Sequence, residues 1–134
     1  LLEYMDVFGM NYYGTPKAYI EKLTSEGIDV ILDIDVNGAK NVKKQRPEAV
    51  SIFILPPSMH ALHSRLVGRG TETPEAVAKR FGKAKEEISH AGEYDYIVVN
   101  DSLDTAIADV ASIIRAERLK ASRNDTVEEL LKEE

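Results

Sequence analysis

The sequence predicts an α/β fold with a mainly parallel sheet that is covered by helices on both faces. From residue 16 onward the predicted elements follow the order α-β-α-β-α-α-β-α, and such alternation implies right-handed crossovers between parallel strands. The predicted strands 28–34, 50–55 and 94–99 are nearly continuous apolar runs, which are typical of strands buried on both faces. Ligands of such sheets bind at the carboxyl ends of the strands, where Asp33 and Asn100 lie.

The first 27 residues differ from this pattern. Residues 1–14 alternate loosely and are rich in aromatic side chains, which predicts two short strands joined by a turn near Gly9. Thr15 followed by Pro16 then predicts the start of a helix, because proline fits the first helical position. Gly27 is a natural residue for the end of that helix.

The later helices have recognisable starts and apolar stripes. Side chains that cap helix N-termini stand before four predicted helices: Asp35, Ser58, Thr73 and Ser102. The helix after Thr73 has an apolar stripe at Val77, Phe81, Ala84 and Ile88. The last long helix is predicted to face inward with Leu103, Ala106, Ile107, Val110 and Ile114. Residues 124–134, with five acids and one lysine, predict a short amphipathic end helix.

The amino-acid composition limits the classes of protein to which the chain can belong. The 134 residues suit a single domain, and 43% hydrophobic with 30% charged residues is ordinary for a globular protein. With no cysteine, neither disulfides nor a thiolate metal site are available, which fits a reducing compartment such as the cytoplasm. No signal peptide is visible, and no apolar run approaches the roughly 20 residues that span a bilayer. A net charge of −6 argues against a general nucleic-acid binder.

A basic segment stands out in this acidic chain. Between His60 and Lys85 there are six Lys or Arg side chains and two acids, a local net charge of +4. The segment is either an anion-binding region or a solvated helix face, and its charge alone does not separate the two.

Three groups of side chains are candidates for chemistry. Asp33 ends a predicted strand, where a carboxylate can hold Mg²⁺ beside phosphates or simply cap a helix. The second group consists of arginines, which either bind phosphate oxygens bidentately or are ordinary surface residues: Arg65, Arg69 and Arg80. The third group can bind a phosphate or a base edge, and each member also has an ordinary structural role: Glu3, Tyr13, Thr15 and Asp35.

Five motifs occur along the chain in a fixed order: Asn-Tyr-Tyr-Gly-Thr at 11–15, Ile-Leu-Asp-Ile-Asp-x-x-Gly at 31–38, Ile-Leu-Pro-Pro-Ser at 54–58, Gly-Arg-Gly-Thr-Glu-Thr at 68–73 and Val-Asn-Asp at 99–101. Their order and spacing resemble those of guanylate kinases. The likeness runs from Glu3 to about Arg123. It implies a P-loop NTPase-like α/β fold with a small strand-rich GMP-binding part and a helical lid. It also implies an enzyme of purine nucleotide metabolism that transfers a phosphoryl group from ATP to GMP.

The resemblance implies a role for each candidate residue. The family's guanine-reading glutamate corresponds to Glu3, and a carboxylate suits guanine, which offers adjacent N1–H and N2–H donors. Tyr13 corresponds to a tyrosine on the GMP phosphate, and Thr15 and Asp35 to positions on the guanine side. Asp33 corresponds to the acid near Mg²⁺, which it would hold directly or through water.

The arginines correspond to lid residues that close over ATP. Arg69 and Arg80 would neutralise phosphate charge in the transition state, while Arg65 would lie nearer the adenosine and Asn100 would contact the adenine. The implied division is about 1–27 for GMP binding, 28–66 and 90–134 for the core, and 67–89 for the lid.

Two features depart from the family pattern. These residues contain no Gly-x-x-x-x-Gly-Lys-Ser/Thr loop, which in the family precedes the position of Leu1. Without that loop the 134 residues alone are expected to have negligible kinase activity. The interval from Glu3 to Tyr13 is also one residue longer than in the family, with Met10 as the extra residue. If the turn does not absorb it, Glu3 faces away from the guanine.

Two other functions fit parts of the pattern. Guanylate-kinase-like modules of scaffolding proteins keep the fold and bind peptides, but they tend to lose the lid arginines and the adenine contact, which this sequence retains. The second alternative is a kinase with the same fold that phosphorylates a sugar phosphate. Glu3, Tyr13 and Thr15 favour a guanine nucleotide as substrate over a sugar phosphate.

Overall fold

The structure, a computed structural model, describes residues 3–7, 11–15, 17–68, 70 and 73–133, and for 3–7 and 11–15 it describes the backbone. The predicted turn near Gly9, Met10, Pro16 and Arg69 lie outside the described residues. None of the described helices is long and apolar enough to cross a membrane.

Strands and helices alternate along most of the chain. The elements are β1 (Glu3–Val7), β2 (Asn11–Thr15), α1 (Lys17–Ser25), α2 (Val36–Gln45), β3 (Ile52–Leu55), α3 (Met59–Val67), α4 (Pro74–Ile88), β4 (Tyr96–Val99), α5 (Leu103–Arg118) and α6 (Thr126–Leu131). Short 3-10 turns occupy Ala91–Glu93 and Ala121–Arg123. The chain forms two compact units, unit 1 with Leu1–Ser51 and Gly92–Asp95, and unit 2 with Ile52–Ala91 and Tyr96–Glu134.

Unit 1 combines a β-hairpin with two helices. β1 and β2 pair antiparallel, which confirms the two predicted N-terminal strands. The end of α1 is also confirmed, because Gly27 has a φ of +80° and the Ile28 N–H donates to the Leu23 carbonyl at 3.0 Å. The core of this unit is formed by Ile20 of α1 and Val42 of α2, with Val30, Leu32, Ile34 and Ala49 packed against them.

The segment 28–34 corrects one prediction. The sequence predicts a strand buried on both faces there, but the segment has no regular secondary structure, and Ile31 is 77% exposed. Val30, Leu32 and Ile34 pack inward while the residues between them face out, so one side of an extended segment is covered. No strand in the described part of the chain pairs with it, and a strand requires a hydrogen-bonded neighbour.

Unit 2 contains a parallel strand pair. β3 and β4 run parallel, with Ile52 opposite Tyr96 and Leu55 opposite Val99. Val98 is 2% exposed, but Ile97 is 50% exposed, so the prediction that β4 is buried on both faces is wrong. β3 is likewise only partly covered. In the described residues each strand has one neighbour, which leaves part of the sheet open.

The helices of unit 2 follow the predicted pattern closely. The stripe of α4 is buried at Val77 and half-buried at its other three positions. In α5, Ala106 is buried and Val110 half-buried as expected, but Leu103 and Ile107 are mostly exposed and their predicted inward orientation is wrong. The apolar stripe of α5 is therefore wider than the surface of unit 2 that covers it. The predicted end helix is confirmed as α6.

The helix caps confirm the sequence analysis in both units. Each predicted side chain accepts a backbone N–H three residues later: Asp35 from Gly38 at 2.8 Å, Ser58 from Ala61 at 3.0 Å, Thr73 from Ala76 at 3.2 Å and Ser102 from Thr105 at 3.5 Å. Each bond satisfies one of the free N–H groups of a first helical turn.

Candidate nucleotide site

The hairpin of unit 1 carries three of the predicted site residues. In its register Glu3 is opposite Thr15, and Met5 is opposite Tyr13. Residues opposite one another across an antiparallel ladder, and residues two apart along one strand, belong to the same face of a sheet. Glu3, Tyr13 and Thr15 therefore occupy positions of one face.

Asp35 has a defined place at the start of α2. Its backbone is extended, with φ −80° and ψ −178°, and its half-buried carboxylate caps the helix through Oδ1. Oδ1 accepts the Gly38 N–H at 2.8 Å. From the residues whose side chains are described, no donor reaches Oδ2. One oxygen is thus fixed by the fold, and none of the described side chains occupies the other.

Asp33 lies two residues earlier and is exposed. No hydrogen bond or ion pair from the described side chains reaches it. The described residues include no group of three or more His, Cys, Asp or Glu that could hold a metal ion. Mg²⁺ beside a nucleotide needs only one or two carboxylates, because phosphates and water supply the other ligands. A single exposed aspartate fits that requirement.

Asp95 joins distant parts of unit 1. Its carboxylate accepts from Lys43 Nζ at 2.7 Å, from the Ser51 N–H at 2.9 Å and from Ser51 Oγ at 3.1 Å. The Asp95 N–H donates back to Ser51 Oγ at 3.0 Å. Burial raises the pKa of Asp95, but the hydrogen bonds from Lys43 and Ser51 and the charge of Lys43 together outweigh burial and lower the pKa.

In unit 2 the structure brings together two of the predicted ATP contacts. Arg65 near the end of α3 donates from Nη2 to the carbonyl of Asn100 at 3.4 Å. The Asn100 N–H donates to the Leu55 carbonyl at 2.8 Å, so it continues the ladder between β3 and β4. Asn100 is thereby held at the carboxyl end of β4, as predicted. Arg65 is exposed and long, so its contact leaves the guanidinium accessible.

Helices α3 and α4 pack through an aromatic contact. The rings of His63 and Phe81 meet edge to face with centroids 5.4 Å apart. An open cavity of about 250 Å³ lies beside them, lined by His63, Val67, Pro74, Val77 and Ala78. Arg80 projects from the exposed face of α4. The basic charge therefore lies on the outside of a helix pair whose apolar sides face each other.

Glu117 is a buried carboxylate that the sequence did not indicate. It is 6% exposed and accepts a hydrogen bond from the Tyr96 hydroxyl at the start of β4. Lys120 Nζ lies 3.2 Å and Arg123 Nη2 lies 3.5 Å from its Oε1. The Tyr96 hydrogen bond and these two cations lower the pKa of Glu117 although burial opposes them. Tyr96 is 21 residues away, so no local pattern could have revealed the contact.

Comparison with known proteins gives the family. The family model for guanylate kinase matches residues 1–117. The chain belongs to the guanylate kinase family. A guanylate kinase of Symbiobacterium thermophilum is 53% identical over 123 residues, which are 92% of this chain and 58% of the relative. One from Vibrio cholerae is 55% identical over 122 residues, 91% of this chain and 58% of the relative.

A solved structure gives the same result for the fold. The crystal structure of guanylate kinase from Anaplasma phagocytophilum matches with a TM-score of 0.79 and 36% identity, over 97% of this chain and 62% of that chain. The predicted fold class and the resemblance are both confirmed. The chain spans about three fifths of the length of the relatives it matches. The roles of single site residues and the predicted three-part division stay predictions.

Proposed function

We propose that the protein transfers the γ-phosphoryl group of ATP to GMP, giving ADP and GDP. The observation that carries this proposal is the extent of the family match. Residues 1–117 include all the predicted site positions: Glu3, Tyr13, Thr15, Asp33, Asp35, Arg65, Arg69, Arg80 and Asn100.

GMP binding is assigned to residues of unit 1. The Glu3 carboxylate accepts the N1–H and N2–H of guanine, a donor pair that adenine lacks, and Tyr13 binds the phosphate. Thr15 and Asp35 contact the guanine side. The hairpin register supports this assignment, because Glu3, Tyr13 and Thr15 occupy positions of one face. Asp35 Oδ2 supports it as well, since no donor from the described side chains reaches it and it can accept a further N–H.

ATP binding is assigned to unit 2. The contact of Arg65 with Asn100 supports a shared role at the adenosine, since the two residues are 35 positions apart in sequence and meet at the carboxyl end of β4. Arg69 and Arg80 neutralise the charge that develops on the transferred phosphoryl group. Arginine suits this role because it stays charged in a dry site and binds two oxygens at once.

Mg²⁺ is assigned to Asp33, which would hold it directly or through water. The ion, when bound, neutralises charge on the ATP phosphates. The exposure of Asp33 supports the assignment, because a metal-bound nucleotide can approach its carboxylate from solvent.

The chemistry requires no covalent intermediate on the protein. The side chains orient the GMP phosphate toward ATP, exclude water when the lid closes, and supply positive charge where the phosphoryl group moves. Water exclusion directs the phosphoryl group to GMP rather than to hydrolysis. The alternative, an inactive protein-binding module, is not favoured, because the relatives that this chain matches are named guanylate kinases.

A coupled assay of ADP production by the whole protein, rather than by these 134 residues alone, tests the proposal. With ATP and Mg²⁺, we expect turnover on GMP with kcat/KM at least about 10³-fold above that on AMP, because a site built around the guanine donors rejects a base that lacks them. ATP without an acceptor is the control. ADP formation that is no faster with GMP than without it would contradict the proposed activity.

A further inference from the structure

Gly38 occupies the third position of α2 and is buried. Glycine inside a helix is unfavourable compared with alanine, because it loses more backbone freedom on folding. The backbone conformation does not demand it here, since among the described residues the glycines with positive φ are Gly27 and Gly70. Another feature of the site must therefore account for glycine at this position.

That feature is lack of space beside Ile34 and Asp35. A Cβ added to Gly38 would lie 3.3 Å from Asp35 Oδ1 and 3.3 Å from Ile34 Cβ. Both distances are shorter than ordinary van der Waals contact, so both neighbours would have to give. The Ile34 Cβ is fixed to the backbone, so the added Cβ would shift the 34–35 segment and the Asp35 carboxylate with it.

We propose that Gly38 is a positioning residue for Asp35 in nucleotide recognition. The inference rests on the proposed function, in which Asp35 contacts the guanine side of GMP. The Gly38 N–H fixes Oδ1 at 2.8 Å, and the missing side chain leaves room for the carboxylate in that orientation. Oδ2 is then held toward a ligand donor, the exocyclic amino group of guanine, without loss of rotational freedom on binding.

Binding of GMP and IMP by isothermal titration calorimetry tests this, because IMP lacks the exocyclic amino group. The intact protein is compared with Gly38→Ala, Asp35→Asn and the double variant. Gly92→Ala is the matched control: a Cβ there meets nothing within 4 Å, and Gly92 lies in a 3-10 turn outside the proposed site. Thermal melting of each variant measures folding separately.

For Gly38→Ala we expect the Kd for GMP to rise about tenfold while the Kd for IMP stays within about twofold, since a hydrogen bond to a charged acceptor is lost only with GMP. In the Asp35→Asn background the same substitution should change the GMP affinity no further, because its effect passes through the carboxylate. Gly92→Ala should bind both nucleotides as the unmodified protein does.

The outcomes separate the two hypotheses. If Asp35→Asn binds GMP normally, the assignment of Asp35 in the proposed function is wrong, and the inference falls with it. If Asp35→Asn weakens GMP binding but Gly38→Ala does not, the inference alone is overturned. Equal weakening of GMP and IMP by Gly38→Ala, with a lower melting temperature, would mean a purely structural role and also overturn it.

A measurement on the unmodified protein covers the case in which Gly38→Ala does not fold. The amide resonance of Gly38 reports on its hydrogen bond to Asp35. Saturating GMP should shift that resonance clearly more than saturating IMP does. Equal shifts, or none, would overturn the positioning role.

Discussion

The predicted site residues of the two units are held in different ways. In unit 1, Asp35 is fixed by a bond to the N–H of Gly38, three residues later, and that bond is also the cap of α2. In unit 2, Arg65 reaches 35 residues along the chain to the Asn100 carbonyl, through one long exposed side chain and a bond of 3.4 Å. The first contact is short, local and part of a helix, whereas the second is long-range and weak.

This difference predicts where ligand binding and folding stability are coupled. A residue whose site geometry depends on a helix cap should lose stability and ligand affinity together when it is changed. Exposed arginines contribute little to folding, because surface charges are solvated whether or not the chain is folded. Substitutions of Arg65 and Arg80 should therefore change nucleotide chemistry and leave stability almost unchanged.

The largest effect is expected at Arg80. In Arg80→Met, kcat should fall by about 10³-fold, which is the lower range for an arginine that stabilises charge in phosphoryl transfer. The side chain is exposed, so the free energy of unfolding should change by less than about 0.5 kcal/mol. Steady-state kinetics and urea unfolding measure the two quantities.

The neighbouring Lys79 is the matched control for Arg80. It is an exposed cation of the same helix. Lys79→Met should keep kcat within about twofold, since surface substitutions away from special features are nearly neutral. Equal losses of kcat in both variants would show that only the overall charge of the segment matters.

At Asp35 we expect a change in two quantities. Asp35→Ala should lower the free energy of unfolding by about 1 kcal/mol, because the first turn of α2 loses its cap. Asp35→Ser should recover most of that stability, because serine is a good cap, but it should not recover GMP affinity. Urea unfolding and calorimetry with GMP measure the two effects.

A cap in unit 2 provides the comparison for Asp35. Ser58 caps α3 through a 3.0 Å bond from the Ala61 N–H. Ser58→Ala should cost a similar stability of about 1 kcal/mol and leave GMP affinity unchanged. A loss of GMP affinity in Ser58→Ala would mean that destabilisation alone weakens binding, and the special coupling at Asp35 would not hold.

Among the described side chains, each unit has one carboxylate with a lowered pKa, Asp95 in unit 1 and Glu117 in unit 2. A carboxyl group with a lower pKa in the folded state stabilises the protein above its unfolded pKa, and this contribution is lost as the pH falls through the folded value. Stability should therefore decrease with acidification below about pH 4.5. Melting temperatures from pH 7 to pH 3 follow that loss.

Two variants separate these carboxylates. Asp95→Asn and Glu117→Gln should each be less stable than the unmodified protein at pH 7 and should each flatten the acid slope. Glu117→Gln should have the larger effect at pH 7, because its side chain is 8% exposed while that of Asp95 is 40% exposed. An unchanged slope in both variants would assign the acid sensitivity to other groups.

The parts of the fold that the sequence predicted correctly are those that local chemistry decides. The caps at Asp35, Ser58, Thr73 and Ser102 each need only a side chain and an N–H three residues away. Gly27 ends α1 because a left-handed residue is needed there. Family resemblance added the roles of the candidate site residues, which the separate residues had left open.

The incorrect predictions concern contacts over long distances. The apolar run 28–34 has the composition of a strand, but a strand forms only with a paired neighbour. The sequence predicts that the whole stripe of α5 faces inward, yet Leu103 is 67% exposed because little of unit 2 covers it. The partners of Asp95 and Glu117 are likewise distant in sequence, so periodicity and capping rules contain no information about them.

The smallest effect is expected at Arg65. Its bond to the Asn100 carbonyl is long and exposed, so Arg65→Met should change the free energy of unfolding by less than about 0.5 kcal/mol. The KM for ATP should rise about three- to tenfold, because one contact near the adenosine is lost. Arg65→Lys keeps the charge but loses the planar fork and should recover only part of the affinity. A stability loss above about 1 kcal/mol in Arg65→Met would make this contact a structural one, and the contrast between a locally fixed unit 1 site and a loosely held unit 2 site would then be wrong.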